Sequence, residues 1–305
     1  MNTSRHLNGR TLLATVVILL LSASLNPSFA QSDDCWKCES PAPPVSRSSR
    51  ASGSSKPSPV NKQQRRPSTR PENRNASFVK ALELGDAAYT ATRYTQAEAH
   101  YRRAQGLFPA NPRPYIGLGN IYYVREQYGP AASAYKKVFE LERDAQSRDK
   151  TFRMDYKLIY EVAFYLGNSY FNQRRYEEAA NTYQLLTKLN PGDYWLFYNL
   201  GRAYFYQRRY AESVQPFSQL VQLLPNDHLS HYWLGGAYYY TGQHSEAIKE
   251  CKRSIGVNPN FSSGYYCMGL AYVAKNKKSD AMKQYRILLN LNRKLADELL
   301  TYINR

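Results

Sequence analysis

Two cysteines close to the N terminus, Cys35 and Cys38, frame the segment CWKC, which has the spacing of several reactive cysteine sites. A redox-active disulfide, covalent haem attachment and one half of a zinc site all use two cysteines separated by two residues. Haem attachment requires a histidine directly afterwards, and this chain has Glu39 there, while zinc requires two further ligands. We therefore predict a local disulfide between the two cysteines, with a disulfide-exchange role as the alternative.

Two histidines, His228 and His231, lie three residues apart, a separation that places two metal ligands on one face of a helix. A useful site requires three or four ligands, and no third ligand is evident in the sequence. The chain also lacks the motifs of a nucleophile elbow, a phosphate-binding loop or a zinc protease. The sequence therefore predicts a protein that is not an enzyme and that binds no metal ion and no cofactor.

Two further cysteines, Cys251 and Cys267, lie sixteen residues apart in the C-terminal half of the chain. Both occupy positions at which apolar residues recur, so two buried free thiols are the first expectation. An oxidising compartment would instead permit a disulfide between them. The sequence leaves both possibilities open.

The elements that position these residues follow from six glycines at one phase of a repeating unit. The glycines are Gly85, Gly119, Gly167, Gly201, Gly235 and Gly269, at intervals of 34, 48, 34, 34 and 34 residues. A small residue recurs twelve positions after each glycine, and a large or apolar residue recurs sixteen positions after it: Tyr101, Tyr135, Tyr183, Phe217, Cys251 and Tyr285. A proline twenty-four positions after the glycine ends four of the units. The pattern predicts pairs of helices that approach closely at the glycine.

This pattern resembles the tetratricopeptide repeat, a 34-residue helix-turn-helix unit, over residues 78 to about 293. The segment LGRAYFYQRRYAESVQPFSQLVQLLP matches that repeat along nearly its whole length. The resemblance implies an all-α fold, a right-handed α-α superhelical solenoid of six units with a C-terminal capping helix. The units are predicted at residues 78–111, 112–145, 160–193, 194–227, 228–261 and 262–295, and the capping helix at residues 294–304.

The interval between Gly119 and Gly167 is fourteen residues longer than the other intervals, which predicts an insertion at about residues 146–159. The insertion is expected to lengthen the second helix of unit two or to form a polar loop. It divides the solenoid into a block of two units and a block of four, with some relative motion at the joint.

The first thirty residues have the pattern of a secretory signal peptide, with two arginines before an apolar run at residues 12–21. Ser28 and Ala30 fit a signal-peptidase site that follows residue 30. An uncleaved membrane anchor is the alternative. Residues 31–77 are rich in Ser, Pro and Arg, which predicts disorder and a structured part that begins near Phe78.

The formal net charge of the chain is +17, and the basic residues are spread over both parts of it. Residues 31–77 carry nine Lys or Arg against four acids, and residues 78–305 carry thirty against twenty. Such a surplus favours acidic partners through a long-range attraction that salt weakens. Because the signal peptide predicts export, we expect no nucleic acid among the partners and consider anionic lipid or another envelope polyanion instead. Solvated faces that keep the solenoid soluble are the alternative explanation.

The resemblance also implies a binding surface, because the first helix of each tetratricopeptide unit faces the concave side of the solenoid. Aromatic residues recur at the concave positions and are densest in units four and five, which predicts a groove for an apolar peptide or helix. The predicted groove residues are Trp195, Tyr198, Tyr206, Tyr232, Trp233, Tyr239 and Tyr240. Packing between neighbouring helices is expected to account for about half of the aromatic rings.

Four polar residues, Asn168, Asn172, Asn199 and Arg202, are predicted to add hydrogen-bonding groups to this groove. In peptide-binding tetratricopeptide proteins, asparagines at the phases of Asn168 and Asn199 hold the backbone or terminal carboxylate of a ligand, and the resemblance implies the same use here. The chaperone-binding version of this clamp has a lysine three residues before the first glycine, where this chain has Phe164. Arg202 is therefore the predicted source of positive charge. Hydrogen bonding to neighbouring helices is the alternative role of the asparagines.

These features predict a non-catalytic interaction scaffold of the cell envelope, periplasmic or secreted, that binds a peptide or helix of a protein partner. The alternative is a basic adaptor that attaches to anionic lipid or another envelope polyanion. Salt separates the two hypotheses, since charge attraction collapses as ionic strength rises whereas aromatic burial survives. Self-association of the solenoid is also compatible with the sequence.

Overall fold

The computed structural model describes residues 71–151 and 155–305, and these residues form helices joined by short turns. The helices are α1 Pro71–Thr90, α2 Tyr94–Leu107, α3 Arg113–Val124, α4 Tyr128–Arg148, α5 Tyr156–Asn172, α6 Tyr176–Leu189, α7 Tyr194–Tyr206, α8 Tyr210–Leu223, α9 His228–Tyr240, α10 His244–Val257, α11 Ser262–Ala274, α12 Lys278–Leu291 and α13 Arg293–Ile303. Within these two ranges the chain contains no β-strand.

The first twelve helices form six hairpins, and each hairpin packs mainly on the hairpins before and after it in the chain. No single hairpin can bury its own apolar face, so the core becomes continuous only when neighbouring hairpins stack. Helix α13 packs on α11 and α12 and covers the C-terminal end of the stack. The predicted all-α right-handed superhelical solenoid of six units with a capping helix is confirmed.

The turn inside each hairpin has the same backbone geometry in all six units. The residue seven positions after the repeat glycine has a left-handed φ of 57° to 78°, at Thr92, Glu126, Arg174, Arg208, Gly242 and Asn276. The next residue donates its backbone N–H to the carbonyl oxygen five residues earlier, as Arg209 does to Tyr204 at 3.0 Å. This bond satisfies a carbonyl that the end of the first helix would otherwise leave without a donor. The same backbone hydrogen bond therefore ends the first helix of every unit.

The connections between hairpins begin the next helix with an acidic cap in the middle of the solenoid. The side chain of Asp193 accepts from the backbone N–H of Trp195 at 3.0 Å, and Asp227 accepts from Ser230 at 2.7 Å. A side-chain acceptor at this position satisfies one of the free N–H groups at a helix start and contributes about 1 kcal/mol. The caps fix where α7 and α9 begin, and these helices carry most of the predicted groove.

The repeat glycines are the points of closest approach between the two helices of a hairpin, as the sequence predicted. In the first four units, an added Cβ atom would lie 2.5–2.8 Å from a ring carbon of the residue sixteen positions later, in the pairs Gly85/Tyr101, Gly119/Tyr135, Gly167/Tyr183 and Gly201/Phe217. Real Cβ atoms essentially never come so close to another heavy atom. Only glycine therefore allows these rings to lie flat against the first helix.

The last two units fill the same space differently. An added Cβ at Gly235 would lie 2.6 Å from the sulfur of Cys251, and one at Gly269 would lie 2.5 Å from Leu299 of the capping helix. Tyr285, which has the matching phase in unit six, is only partly buried. The capping helix thus replaces the repeat aromatic, which the spacing of Tyr285 did not predict.

The solenoid begins earlier than the predicted boundary at Phe78, because α1 extends back to Pro71. Arg74 holds this first turn: its guanidinium donates to the carbonyl oxygen of Leu107 at 2.6 and 3.0 Å and lies 5.2 Å from the ring centre of Phe108. A polar, arginine-containing segment is therefore helical where its composition predicted disorder. The predicted signal peptide, the remainder of the basic tail and Cys35 and Cys38 lie outside the described residues.

The predicted insertion at residues 146–159 is largely absorbed by helix extension. Helix α4 has 21 residues and α5 has 17. The corresponding second and first helices of unit four, α8 and α7, have 14 and 13 residues. The connection between them is residues 149–155, of which residues 152–154 lie outside the described part. The insertion therefore lengthens α4, which was one of the two predicted alternatives, and also α5, which was not predicted.

Cys251 on α10 and Cys267 on α11 form a disulfide, and their Cα atoms are 6.2 Å apart. The first expectation of two free thiols is therefore wrong, although both residues are fully buried as expected. The disulfide joins the second helix of unit five to the first helix of unit six. Stacking of consecutive units brings the two cysteines within bonding range, which a separation of sixteen residues alone does not.

Among the helices of the described ranges, none combines the length and the apolar character that crossing a membrane requires.

Candidate functional site

The candidate site is an aromatic cluster on the first helices of units three to five, α5, α7 and α9, with contributions from the starts of α6 and α8. We use this name for the residues Phe171, Tyr176, Trp195, Tyr198, Phe205, Tyr206, Tyr210, Trp233 and Tyr240. Neighbouring ring centres in the cluster are 4.3 to 6.5 Å apart, mostly in edge-to-face contact. Such contacts hold aromatic side chains in place at little entropic cost when a ligand binds. The structure thus offers a rigid apolar surface that spans three units.

Arg202 lies inside this cluster and supplies its positive charge. Its guanidinium carbon is 4.8 Å from the ring centre of Phe171, 5.1 Å from Tyr198 and 5.7 Å from both Tyr206 and Trp233. Each ring attracts the cation through its negative face, and the attraction strengthens where water is displaced. The predicted cation of the groove is therefore held by four aromatic rings, three of which were themselves predicted groove residues.

Three of the predicted groove residues, Tyr198, Tyr232 and Trp233, are buried, with exposed fractions of 7%, 1% and 1%. Trp233 stacks on Phe217 of α8 at 5.6 Å, and Tyr232 meets Phe261 at 5.2 Å in an edge-to-face contact. These rings pack between neighbouring units, the role that the sequence assigned to about half of the aromatic positions. Tyr198 and Trp233 also contact the rings of Trp195 and Tyr206, so these buried rings support the accessible ones.

Four other predicted groove residues, Trp195, Tyr206, Tyr239 and Tyr240, are only partly buried. Trp195 lies 4.9 Å from the ring of Tyr194, and Tyr239 lies 5.3 Å from Tyr240. Burial is the main cause that raises the pKa of Tyr239, so its phenol stays protonated and can donate a hydrogen bond. These four side chains form the accessible part of the predicted groove.

Four members of the aromatic cluster are not among the predicted groove residues: Phe171 and Phe205 on the first helices, and Tyr176 and Tyr210, which begin α6 and α8. Tyr176 stacks on Tyr206 at 5.4 Å with an interplanar angle of 19°, and Tyr210 stacks on Tyr240 at 4.3 Å with an angle of 12°. Both tyrosines end the tetrapeptide QRRY, which occurs at residues 173–176 and again at residues 207–210. That exact repetition was the available signal, because second-helix residues were not expected on the concave side.

Asn168 has a structural partner in the second helix of its own unit. Its Oδ1 accepts from the hydroxyl of Tyr183 at 2.6 Å. The same arrangement occurs in the first two units, where the residue after the repeat glycine, Asp86 or Asn120, accepts from the matching tyrosine at 2.7 Å. Because this bond recurs outside the groove units, packing explains Asn168 better than ligand contact does.

The remaining polar candidates lie near this bond. Asn199 on α7 is partly buried and Asn172 at the end of α5 is exposed. The charge of Arg202 acts on Tyr183, whose pKa is raised well above its ordinary value, mainly by burial. Asn168 and Tyr183 are therefore linked by a hydrogen bond, and the charge of Arg202 acts on the same tyrosine.

The two histidines considered as metal ligands make separate contacts. His231 is buried and its Nδ1 lies 2.7 Å from Glu250 Oε2, while its Nε2 lies 3.0 Å from the carbonyl oxygen of Pro225. His228 instead meets the ring of Phe261 at 4.8 Å. Residues 71–151 and 155–305 contain no group of three or more His, Cys, Asp or Glu side chains that could hold a metal ion.

Comparison with known proteins gives the family of the chain. Family models described as "Tetratricopeptide repeat" match residues 82–147 and 198–262 in one case and residues 160–193 in another. "Stress-induced-phosphoprotein 1" of Caenorhabditis elegans is 29% identical over 91 residues, which are 30% of this chain. The match spans 26% of the length of that relative.

Solved structures of similar fold include MamA and YrrB. The crystal structure of MamA has a TM-score of 0.51 and 23% identity, with 61% of this chain and 94% of that chain covered. YrrB, described as "a TPR protein with an unusual peptide-binding site", has a TM-score of 0.53 and 19% identity, with 66% and 94% covered. These likenesses concern the fold. With the family models matching more than half of its residues, the chain belongs to the tetratricopeptide repeat family.

Proposed function

We propose that this protein is a non-catalytic scaffold that binds a peptide or helix segment of a protein partner against the aromatic cluster. The observation that carries the proposal is the packing of Arg202 among Phe171, Tyr198, Tyr206 and Trp233 on the concave helices. An apolar surface with one fixed cation suits a segment that combines apolar side chains with a carbonyl or carboxylate group. The cluster spans three units, which matches the extent of a short helix or extended peptide.

We place this activity outside the cytoplasm, in the cell envelope. The support is the signal-peptide pattern of the first thirty residues together with the disulfide between Cys251 and Cys267. Structural disulfides persist in oxidising compartments and are rare in the cytosol. The partner is then a protein of the same compartment.

The test compares the purified protein with a variant that carries Trp195→Ala and Tyr206→Ala. Both side chains are partly buried members of the aromatic cluster, so their removal trims the surface and leaves Trp233 in the core. Tyr156→Ala is the matched control, because Tyr156 is 46% exposed and lies outside the cluster. Partners are captured from envelope extract at low and at high salt and identified, and affinity is then measured with the synthetic partner segment.

We expect the double variant to lose affinity for that segment by about tenfold or more, since anchoring aromatic residues typically contribute over 1 kcal/mol each. The Tyr156→Ala control should bind like the unchanged protein, and binding should survive high salt. Capture at low salt only, with the double variant unaffected, would instead support the basic adaptor on an anionic envelope surface. Equal loss in the control and the double variant would contradict the proposed surface.

A further inference from the structure

The repeated tetrapeptide QRRY in the turns of units three and four contains one residue without a structural task. Gln173 and Gln207 donate from Nε2 to backbone carbonyl oxygens of the unit before at 3.0 Å. The second arginines, Arg175 and Arg209, pair with a glutamate three residues later and lie over tyrosine rings at 4.6 and 4.8 Å. The closing tyrosines belong to the aromatic cluster. The first arginine is the residue of each tetrapeptide whose side chain has not been accounted for by these contacts.

These first arginines, Arg174 and Arg208, occupy a backbone conformation that arginine disfavours. Their φ values are 60° and 63°, and the other four units have Thr92, Glu126, Gly242 and Asn276 at the same phase with the same left-handed φ, so the turn itself does not require arginine. Both side chains are exposed, whereas the neighbouring Arg175 and Arg209 are the arginines that pair with Glu178 and Glu212. Units three and four therefore share an exposed arginine at a position where the turn accepts several other residue types.

The edge of the solenoid that carries these turns is basic. The three-residue turns inside the six hairpins contain eight Lys or Arg residues and one Glu. On the opposite edge, the connections at residues 108–112, 190–193, 224–227 and 258–261 contain no Lys or Arg and two Asp, and the longer connection at residues 149–155 contains two basic and two acidic residues. The charge of the repeat domain is therefore segregated, and the turn edge attracts acidic groups.

The turn edge is continuous with the aromatic cluster. Tyr176 and Tyr210 follow the two left-handed arginines by two residues, and they stack on Tyr206 and Tyr240 of the concave helices. The two arginines are therefore neighbours of the stacked tyrosines, and the charge of Arg208 acts on Tyr210.

We propose that Arg174 and Arg208 bind acidic side chains of the partner segment, so that the ligand is a peptide with apolar residues flanked by Asp or Glu. This inference rests on the proposed function, because it assumes that the aromatic cluster holds the apolar part. Arginine suits the task, since its planar guanidinium forms two parallel hydrogen bonds with a carboxylate. The arginines then select among apolar segments by their charge.

The experiment selects binders from a phage-displayed library of random twelve-residue peptides on the unchanged protein and on a variant with Arg174→Asn and Arg208→Asn. Asparagine is favoured at left-handed φ, so the variant keeps the turns intact. A control with Lys188→Asn and Lys252→Asn removes the same charge from exposed positions on α6 and α10. Representative peptides are then synthesised, together with Gln analogues of their acidic residues, and their affinities are measured by fluorescence anisotropy.

We expect binders of the unchanged protein and the lysine control to combine aromatic or aliphatic residues with Asp or Glu. On the arginine variant the acidic enrichment should disappear while the apolar enrichment persists, and affinity for acidic peptides should fall about tenfold to the level of their Gln analogues. Apolar binders with no acidic preference, or the same preference on all three proteins, would overturn this inference and leave the proposed function standing. A library that yields no apolar binders would contradict the proposed function itself.

Sedimentation with phosphatidylglycerol vesicles completes the test. We expect the arginine variant and the lysine control to sediment alike. If the arginine variant alone lost vesicle binding while its peptide affinities were unchanged, the turn edge would be a lipid-binding surface and the peptide proposal would be wrong.

Discussion

Replacing Gly201 with alanine tests whether the repeat glycine is needed for the close approach of the two helices of unit four. The new Cβ would lie 2.5 and 2.6 Å from two ring carbons of Phe217, far inside van der Waals contact. Phe217 is fully buried and stacks on Trp233, so its ring has little freedom to move. Overpacking of this kind costs up to about 3 kcal/mol, and the helix propensity of alanine returns about 1 kcal/mol. We expect a net loss of about 2 kcal/mol.

The matched control is the same substitution at Gly256, which lies near the end of α10 and has no heavy atom within 4 Å of an added Cβ. There alanine should stabilise the protein by up to about 1 kcal/mol, because only the helix propensity changes. Urea unfolding followed by circular dichroism at 222 nm measures both variants. In a domain of this size, a loss of about 2 kcal/mol also lowers the thermal midpoint by roughly 4–8 °C.

A second change in unit four separates the steric cause from other effects. Phe217→Leu removes the ring that the new methyl group would strike, and the double variant should be more stable than the sum of the two single losses implies. If Gly201→Ala stabilised the protein as Gly256→Ala is expected to do, the close-packing argument would be refuted. Strict additivity of Gly201→Ala and Phe217→Leu would refute the assignment of the clash to Phe217.

Three further predictions concern contacts outside the aromatic cluster. The hydrogen bond to Glu250 raises the pKa of His231, and the bonds to His231 and Arg253 hold the pKa of Glu250 low against its burial, so the pair should stabilise the fold most between about pH 4.5 and 6.5. Stability should fall above this window as His231 loses its proton and below it as Glu250 gains one, and the variant with both residues changed to Gln should flatten the profile. Replacing Cys251 and Cys267 with serine should cost about 3 kcal/mol in urea unfolding. Tyr183→Phe leaves a partly buried amide oxygen without its donor and should cost about 1 kcal/mol.

Each of these predictions has an outcome that contradicts it. A pH profile of the His231→Gln, Glu250→Gln variant that parallels the unchanged protein would show that the pair does not titrate as described. Unfolding midpoints of the serine variant that match the oxidised protein would mean that the disulfide is not formed. For Tyr183→Phe, a gain in stability would indicate that Asn168 finds another donor, and Tyr285→Phe, at the partly buried phase of unit six, is the control.

The repeat pattern made the hairpins and their order predictable, because in a solenoid each residue interacts mainly within its own unit or with the next unit. The phase of Gly201 and Phe217 therefore records a contact that exists within one hairpin, and spacing alone identifies it. Arg202 and the partly buried Tyr206 and Tyr240 were predictable for the same reason, since their phases define the concave face. Boundaries were less predictable, as Pro71 shows, because one arginine contact can extend a helix into a polar segment.

The sequence by itself determined the all-α class, the number of units, the small residue at each close approach and the face that carries the aromatic residues. The tertiary structure alone decided which rings stay accessible, because Trp233 and Tyr206 have similar sequence signals but different neighbours from adjacent units. It also decided the bond between Cys251 and Cys267, which depends on a Cα separation of 6.2 Å between units. The physical reason is that periodicity fixes the direction of a side chain on its own helix, whereas burial and bonding depend on the position of the next helix.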